Sequence, residues 1–145
     1  MPRGRWLVFD TSVYISAIHG GVSSPASRRL REMLPRTYLA SVVSAELRAG
    51  ATTERARRTV HDATQWAHRV GRVVTPSAGA WDRAGDILGK IYREDPRLRS
   101  KIPAFWNDLL IALSARQVGA IVVTHNIKHF ERLRRYVRFD LRAFA

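Results

Sequence analysis

Trp6-Leu7-Val8-Phe9-Asp10-Thr11-Ser12 is the stretch that decides the architecture. Its apolar part is too short for a helix and reads as a buried strand, Leu7–Phe9. An aspartate closes that run at once. Burying a charge is costly unless a partner compensates it. Asp10 is therefore the first candidate functional residue.

The pattern continues outward as alternating helix and strand. Ser12–Ile18 reads as a helix that His19-Gly20-Gly21-Val22 breaks. Ser23-Ser24-Pro25 opens a second helix to about Leu34, which Pro35 stops. Thr37–Ser41 is a second strand, followed by a short helix, Val42–Ala49, ending at Gly50. Thr53 caps a long helix to about Val70. Its apolar stripe is Val60, Ala63, Trp66, Ala67 and Val70, and Gly71 terminates it. Arg72–Thr75 is a third strand. Ser77 caps a helix with Trp81, Ala84, Leu88 and Ile91 on one face, and Pro96 lies beyond its end. Phe105–Val118 is a strongly apolar helix with Gly119 as its stop. Ala120–Thr124 is the clearest buried strand. Asn126–Arg135 reads as a short helix and Tyr136–Phe139 as a last strand.

Strands alternating with helices predict a three-layer α/β/α domain around a short central parallel sheet. The chain is expected to be one domain, residues 1–145. In such sheets ligands bind outside the carboxyl ends of the strands. Asp10 follows the first strand, Glu46 lies about one helical turn past the second, and Asn126 follows the strand ending at Thr124. Asp108, inside the stretch Ile102–Leu113, opens the helix that feeds that strand. All four are expected to meet on one edge of the sheet.

Composition narrows the partners. Lys plus Arg total 25 against 12 Asp plus Glu, a formal net charge of +13. Only Lys90, Lys101 and Lys128 are lysine, so 25 less 3 leaves 22 arginines. A GC-rich genome accounts for arginine over lysine but not for the excess over acids. That excess favours an anionic polymer, and arginine forks well onto phosphate. The absence of cysteine excludes disulfides and thiolate metal sites. No apolar run approaches the ~18–20 residues of a membrane span. The first apolar run ends at Asp10, too soon for a signal peptide, so the expectation is a cytoplasmic protein without membrane attachment.

Carboxylates within a basic chain point to a hard cation held between protein and phosphate. Mg²⁺ or Mn²⁺ takes oxygen ligands and keeps several waters, so a few carboxylates suffice. Asp10, Glu46 and Asp108 are the candidate metal ligands, and Asn126 adds a neutral oxygen to the catalytic set. Ser12 and Thr124 are placed to orient waters or ligating carboxylates.

In this order the residues resemble the PIN-domain family, and within it the VapC-type ribonuclease toxins of toxin–antitoxin pairs. The matching pieces are Val8–Val13, Ser41–Leu47, Asn107–Ala112 and Val123–Phe130. The resemblance runs from Leu7 to Phe139. It implies Mg²⁺- or Mn²⁺-dependent endoribonuclease activity with Asp10, Glu46 and Asp108 as acidic ligands, a homodimer, and a small antitoxin that blocks the cleft. One position departs from the pattern. Where the family often has Asp after the last central strand, this chain has Asn126, which adds no charge and weakens the case for a stable second metal.

Each residue also has a plainer reading. Asp10 is as good an N-cap as a ligand. Asp108 reads as a first-turn acid favoured by the helix dipole, Glu46 as an ordinary helix-start acid, and Asn126 more readily as an N-cap than a ligand. His125 and His129 have helical i,i+4 spacing but no third ligand, which argues against zinc. The Arg28/Arg29/Arg31, Arg55/Arg57/Arg58 and Arg132–Arg142 clusters are either solvated faces or RNA tracks. Trp66 and Trp81 read as core or dimer contacts, and Trp106 as core with base stacking as the alternative. The rival functions are a non-catalytic basic nucleic-acid-binding module and a housekeeping PIN nuclease in RNA processing. A phosphoryl-accepting aspartate enzyme is disfavoured because Ser12, not Asp, stands two residues after Asp10. No G-x-G-x-x-G follows a strand, which disfavours a dinucleotide site.

Overall fold

The computed structural model describes residues 4–145. In chain order the elements are β1 (Leu7–Phe9), α1 (Thr11–Gly20), α2 (Pro25–Met33), β2 (Thr37–Ala40), α3 (Ser41–Gly50), α4 (Glu54–Arg69), β3 (Val73–Val74), α5 (Ala78–Glu94), α6 (Ile102–Gln117), β4 (Ile121–Thr124), α7 (Ile127–Leu133) and β5 (Asp140–Ala143). Among the described residues the strands form one parallel sheet in the order β3-β2-β1-β4-β5. It is the middle layer of an α/β/α sandwich. Every residue of β1 and β4 is buried, as expected of strands covered on both faces. Their register pairs Leu7 with Ile121, Val8 with Val122 and Phe9 with Val123. No helix among the described residues is long and apolar enough to cross a membrane.

Local chemistry starts and stops the helices as the sequence predicts. Ser24 Oγ accepts the Ser27 N–H, Thr53 Oγ1 the Ala56 N–H and Ser77 Oγ the Ala80 N–H, each at 3.1 Å. Such a cap contributes roughly 1 kcal/mol. Beyond α4 and α6, Gly71 (φ +69°) and Gly119 (φ +65°) turn the chain through the left-handed region, where a Cβ is strained.

Three expectations need correction. The last strand is Asp140–Ala143, not Tyr136–Phe139. Val137 and Phe139 are buried, with Phe139 edge-on to Phe130 at 6.3 Å, but they lead into the strand. β5 is a largely exposed sheet edge paired on one side with β4, so it carries no apolar run for a hydropathy reading to find. Helix α6 begins at Ile102, with Pro103 in its first turn. Asp108 therefore sits about two turns inside the helix, beyond the reach of the N-terminal dipole. Finally, Val70, which ends one predicted stripe, and Trp81, which begins another, lie in solvent at 57% and 50% exposure.

Candidate active site

Asp10 is held at the carboxyl edge of the sheet by its own backbone. Its N–H donates to the Val123 carbonyl at 3.0 Å, carrying the β1–β4 ladder one residue past β1. The chain leaves β1 for β2 and β3 on one side and returns to β4 on the other. Such a reversal of strand order opens a crevice at the strands' carboxyl ends, and Asp10 stands in it.

The Asp10 side chain is 5% exposed. It occupies the N-cap position of α1 yet makes no capping hydrogen bond. Instead Oδ1 accepts from Ser12 Oγ at 2.6 Å. Ser12 Oγ in turn accepts the His125 N–H at 3.2 Å, which ties the β1–α1 turn to the β4–α7 turn. Thr124 Oγ1 accepts the Asn126 N–H at 2.8 Å and lies beside Asp10. Burial raises the Asp10 pKa, and the Ser12 and Thr124 hydroxyls and the His125 ring pull it partway back.

Glu46, half-buried on α3, accepts from Thr11 Oγ1 at 3.0 Å through Oε1. Burial raises its pKa, the Thr11 and Asn107 side chains lower it, and the charge of Asp10 raises it again. Asp108, half-buried on α6, has no such hydroxyl support. Burial and then the charges of Asp10 and Glu46 push its pKa up to about 7. Three acids far apart in sequence thus sense one another across β1, α3 and α6. Desolvation with like-charge crowding is the arrangement that marks functional carboxylates.

Asn126 is exposed and stands at the N-cap position of α7, but its side chain makes no capping bond. The cap role that its sequence position favours is therefore not the one its side chain plays. His125 and His129 are both exposed, and the His125 ring packs edge-on against Phe144 at 5.0 Å. Sequence reasoning assigned no role to Thr11 or Asn107, although both adjoin a candidate acid. That adjacency was the available signal. Their contact with Glu46 depends on how α1, α3 and α6 pack.

Among the described residues, no three His, Asp or Glu side chains are gathered tightly enough to ligate one ion together. The donor set still fits a hard cation. It offers carboxylate and hydroxyl oxygens, no thiolate, and a crowd of negative charge that a cation relieves. Mg²⁺ needs only one or two direct carboxylates, since water and substrate phosphate complete its shell.

A family profile described as PIN domain matches residues 7–136. No curated protein sequence matches the chain. Several solved structures do. DNA-bound VapBC from Salmonella typhimurium aligns with a TM-score of 0.67 at 21% identity, covering 98% of this chain and 100% of that one. VapBC2 from Rickettsia felis, bound to a promoter DNA fragment, gives 0.63 at 21% identity over 96% and 98% of the two chains. FitAcB from Neisseria gonorrhoeae gives 0.64 at 17% identity over 96% of each. At these identities the likeness is one of fold.

Proposed function

The chain belongs to the PIN-domain family, and on that premise we propose that it is a Mg²⁺- or Mn²⁺-dependent endoribonuclease, the toxin of a toxin–antitoxin pair. PIN domains are nucleases. The observation that carries the metal-dependent reading is the burial of Asp108 close to Asp10 and Glu46: desolvation first, and then the charges of those two acids, push its pKa up to about 7. Carboxylates that repel one another at the mouth of a crevice are a poor surface for RNA phosphate by themselves. They suit it once a cation stands between.

Asp10 and Asp108 would hold the ion, Glu46 would assist through bound water, and Asn126 would add a neutral oxygen. When bound, the metal supplies charge neutralisation on the phosphodiester and an activated water. The protein's own contribution is positioning. Ser12 and Thr124 fix the Asp10 carboxylate, and Thr11 fixes Glu46. Hydrolysis in line leaves 5′-phosphate and 3′-hydroxyl ends, and no side chain need act as a covalent nucleophile. The likeness in fold to VapBC assemblies supports a small antitoxin partner, and a homodimer is part of the same reading.

The test is incubation of purified protein with RNA in Mg²⁺, in EDTA, and after Asp10→Asn. Cleavage is expected in Mg²⁺ alone, and cleavage that survives both chelation and Asp10→Asn overturns the mechanism. A non-catalytic basic module would bind RNA equally well after Asp108→Asn and never cleave it. A short reading frame overlapping or just upstream of this one separates a toxin from a housekeeping nuclease.

A further inference from the structure

Trp81 departs from its own helical stripe. Ala84, Leu88 and Ile91 on α5 are buried as predicted, whereas half of the Trp81 surface remains open. Leaving half of a large aromatic in water forgoes part of a burial term of about 25 cal/mol per Å² of apolar surface. Its surroundings offer a reason. A cavity of about 430 Å³ is lined by Trp81 together with Val42, Glu46, Pro76, Asn107 and Leu110. Glu46 is a candidate metal ligand and Asn107 directly precedes another, Asp108, so the indole opens onto a recess that reaches the edge of the carboxylate site.

The indole is also held in place. It packs against Trp106 with centroids 5.9 Å apart and planes inclined by 42°. Trp106 precedes Asn107 and Asp108 on α6. Gly85, one turn along α5, faces the same ring: a Cβ there would meet Trp106 Cη2 at 3.6 Å, an ordinary packing distance. The start of α5 is fastened to the end of α6 by Gln117, whose Oε1 accepts the Ser77 N–H and whose Nε2 donates to the Thr75 carbonyl, both at 2.9 Å. Trp81 thus has a set position relative to the acids.

Resting on the nuclease reading above, we propose that Trp81 is a stacking shelf for one nucleobase of a single-stranded RNA, next to the phosphodiester that is cut. The recess is apolar apart from Glu46 and a few neutral polar groups, and Glu46 repels phosphate. It therefore takes the uncharged part of a nucleotide. A base has a flat π-face and hydrogen-bonding edges, which match the indole and the nearby Asn107 amide. The net charge of +13 draws the strand in, while the indole makes the contact that charge cannot. Stacking of this kind tolerates any base and favours unpaired strands.

The test compares wild type, Trp81→Ala and Trp81→Phe in EDTA. Each is titrated with a short single-stranded oligoribonucleotide and with an abasic ribose-phosphate strand of equal length. Wild type should prefer the base-bearing strand by at least about five-fold, the low end for one stacked base. Trp81→Ala should bind both strands alike, and Trp81→Phe should keep most of the preference. Equal preference in wild type and Trp81→Ala overturns the proposal. So does a fall in sedimenting mass from dimer to monomer in Trp81→Ala, which would assign the indole to a second copy of the chain. RNA cleavage in Mg²⁺ with discrimination untouched by Trp81 removes the stacking role alone. Wild type that neither binds nor cleaves RNA removes the nuclease reading and the stacking role together.

Discussion

Helices α4 and α6 are both 16 residues long, and they put their charges to opposite use. α4 buries a narrow line, Val60, Thr64 and Ala67, and turns Arg55, Arg57 and Arg58 to solvent. α6 is sunk among its neighbours and buries Phe105 and an unbroken run from Leu109 to Ala115. A charge on α4 is solvated and almost free of consequence. The acid on α6 stands where burial and two other carboxylates oppose its ionisation. The contrast teaches that environment, not residue type, makes a charge informative.

Several substitutions would break or sharpen that contrast. The largest effect should come from emptying the α6 core. Leu109 is fully buried, so Leu109→Ala is expected to cost about 2–5 kcal/mol in urea unfolding. A cost under ~1 kcal/mol would mean that α6 is not packed as described.

Next is Asp108→Asn, which should reduce RNA cleavage at least about a hundred-fold, since even partners one step removed from a metal matter ten- to a hundred-fold. The same change should stabilise the metal-free protein at neutral pH. Folding raises the Asp108 pKa from 3.8 to about 7. Over that window the folded protein holds a proton that the unfolded chain has lost, so stability falls as pH rises from about 4 to 7 and then levels. Asp10 and Glu46 are shifted in the same direction. Thermal melts in EDTA should show this decline, reduced in Asp108→Asn and reversed by Mg²⁺. A Tm that rises steadily across this pH range in EDTA would contradict the crowding.

Smaller still, Ser114→Ala should stabilise by up to about 1 kcal/mol, because the Ser114 hydroxyl is buried without a hydrogen-bond partner. Destabilisation would point to a partner for that hydroxyl. On α4, Arg57→Gln removes an exposed ion pair with Glu54 at 3.2 Å. It should shift stability by less than ~0.5 kcal/mol. A larger shift by denaturant titration would undo the comparison between the helices.

The sequence was legible where the signal is local. Ser24, Thr53 and Ser77 cap the helices that their positions announce, and the apolar runs at Leu7–Phe9 and Ile121–Thr124 are buried strands. It was less legible at β5, where polar Asp140 and Arg142 alternate with Leu141 and Ala143 on a largely exposed edge, so no apolar run marks the strand. The start of α6 was set at Phe105, three residues late, although Pro103 is a residue that suits a helix's first turn. Thr11 and Asn107 stood beside candidate acids without a sign that they would turn to Glu46.

Periodicity and termination signals act over a few residues, so the chain by itself determined that strands alternate with helices and which polar residues interrupt apolar runs. Tertiary structure alone decided that Glu46 and Asp108 feel the charge of Asp10, that Asp108 lies about two turns inside its helix, and that Trp81 stays open beside Glu46. These depend on the reversal of strand order between β1 and β4 and on the seating of α5 against α6. Both are set by contacts between segments tens of residues apart, whose free energy appears only when the whole core forms.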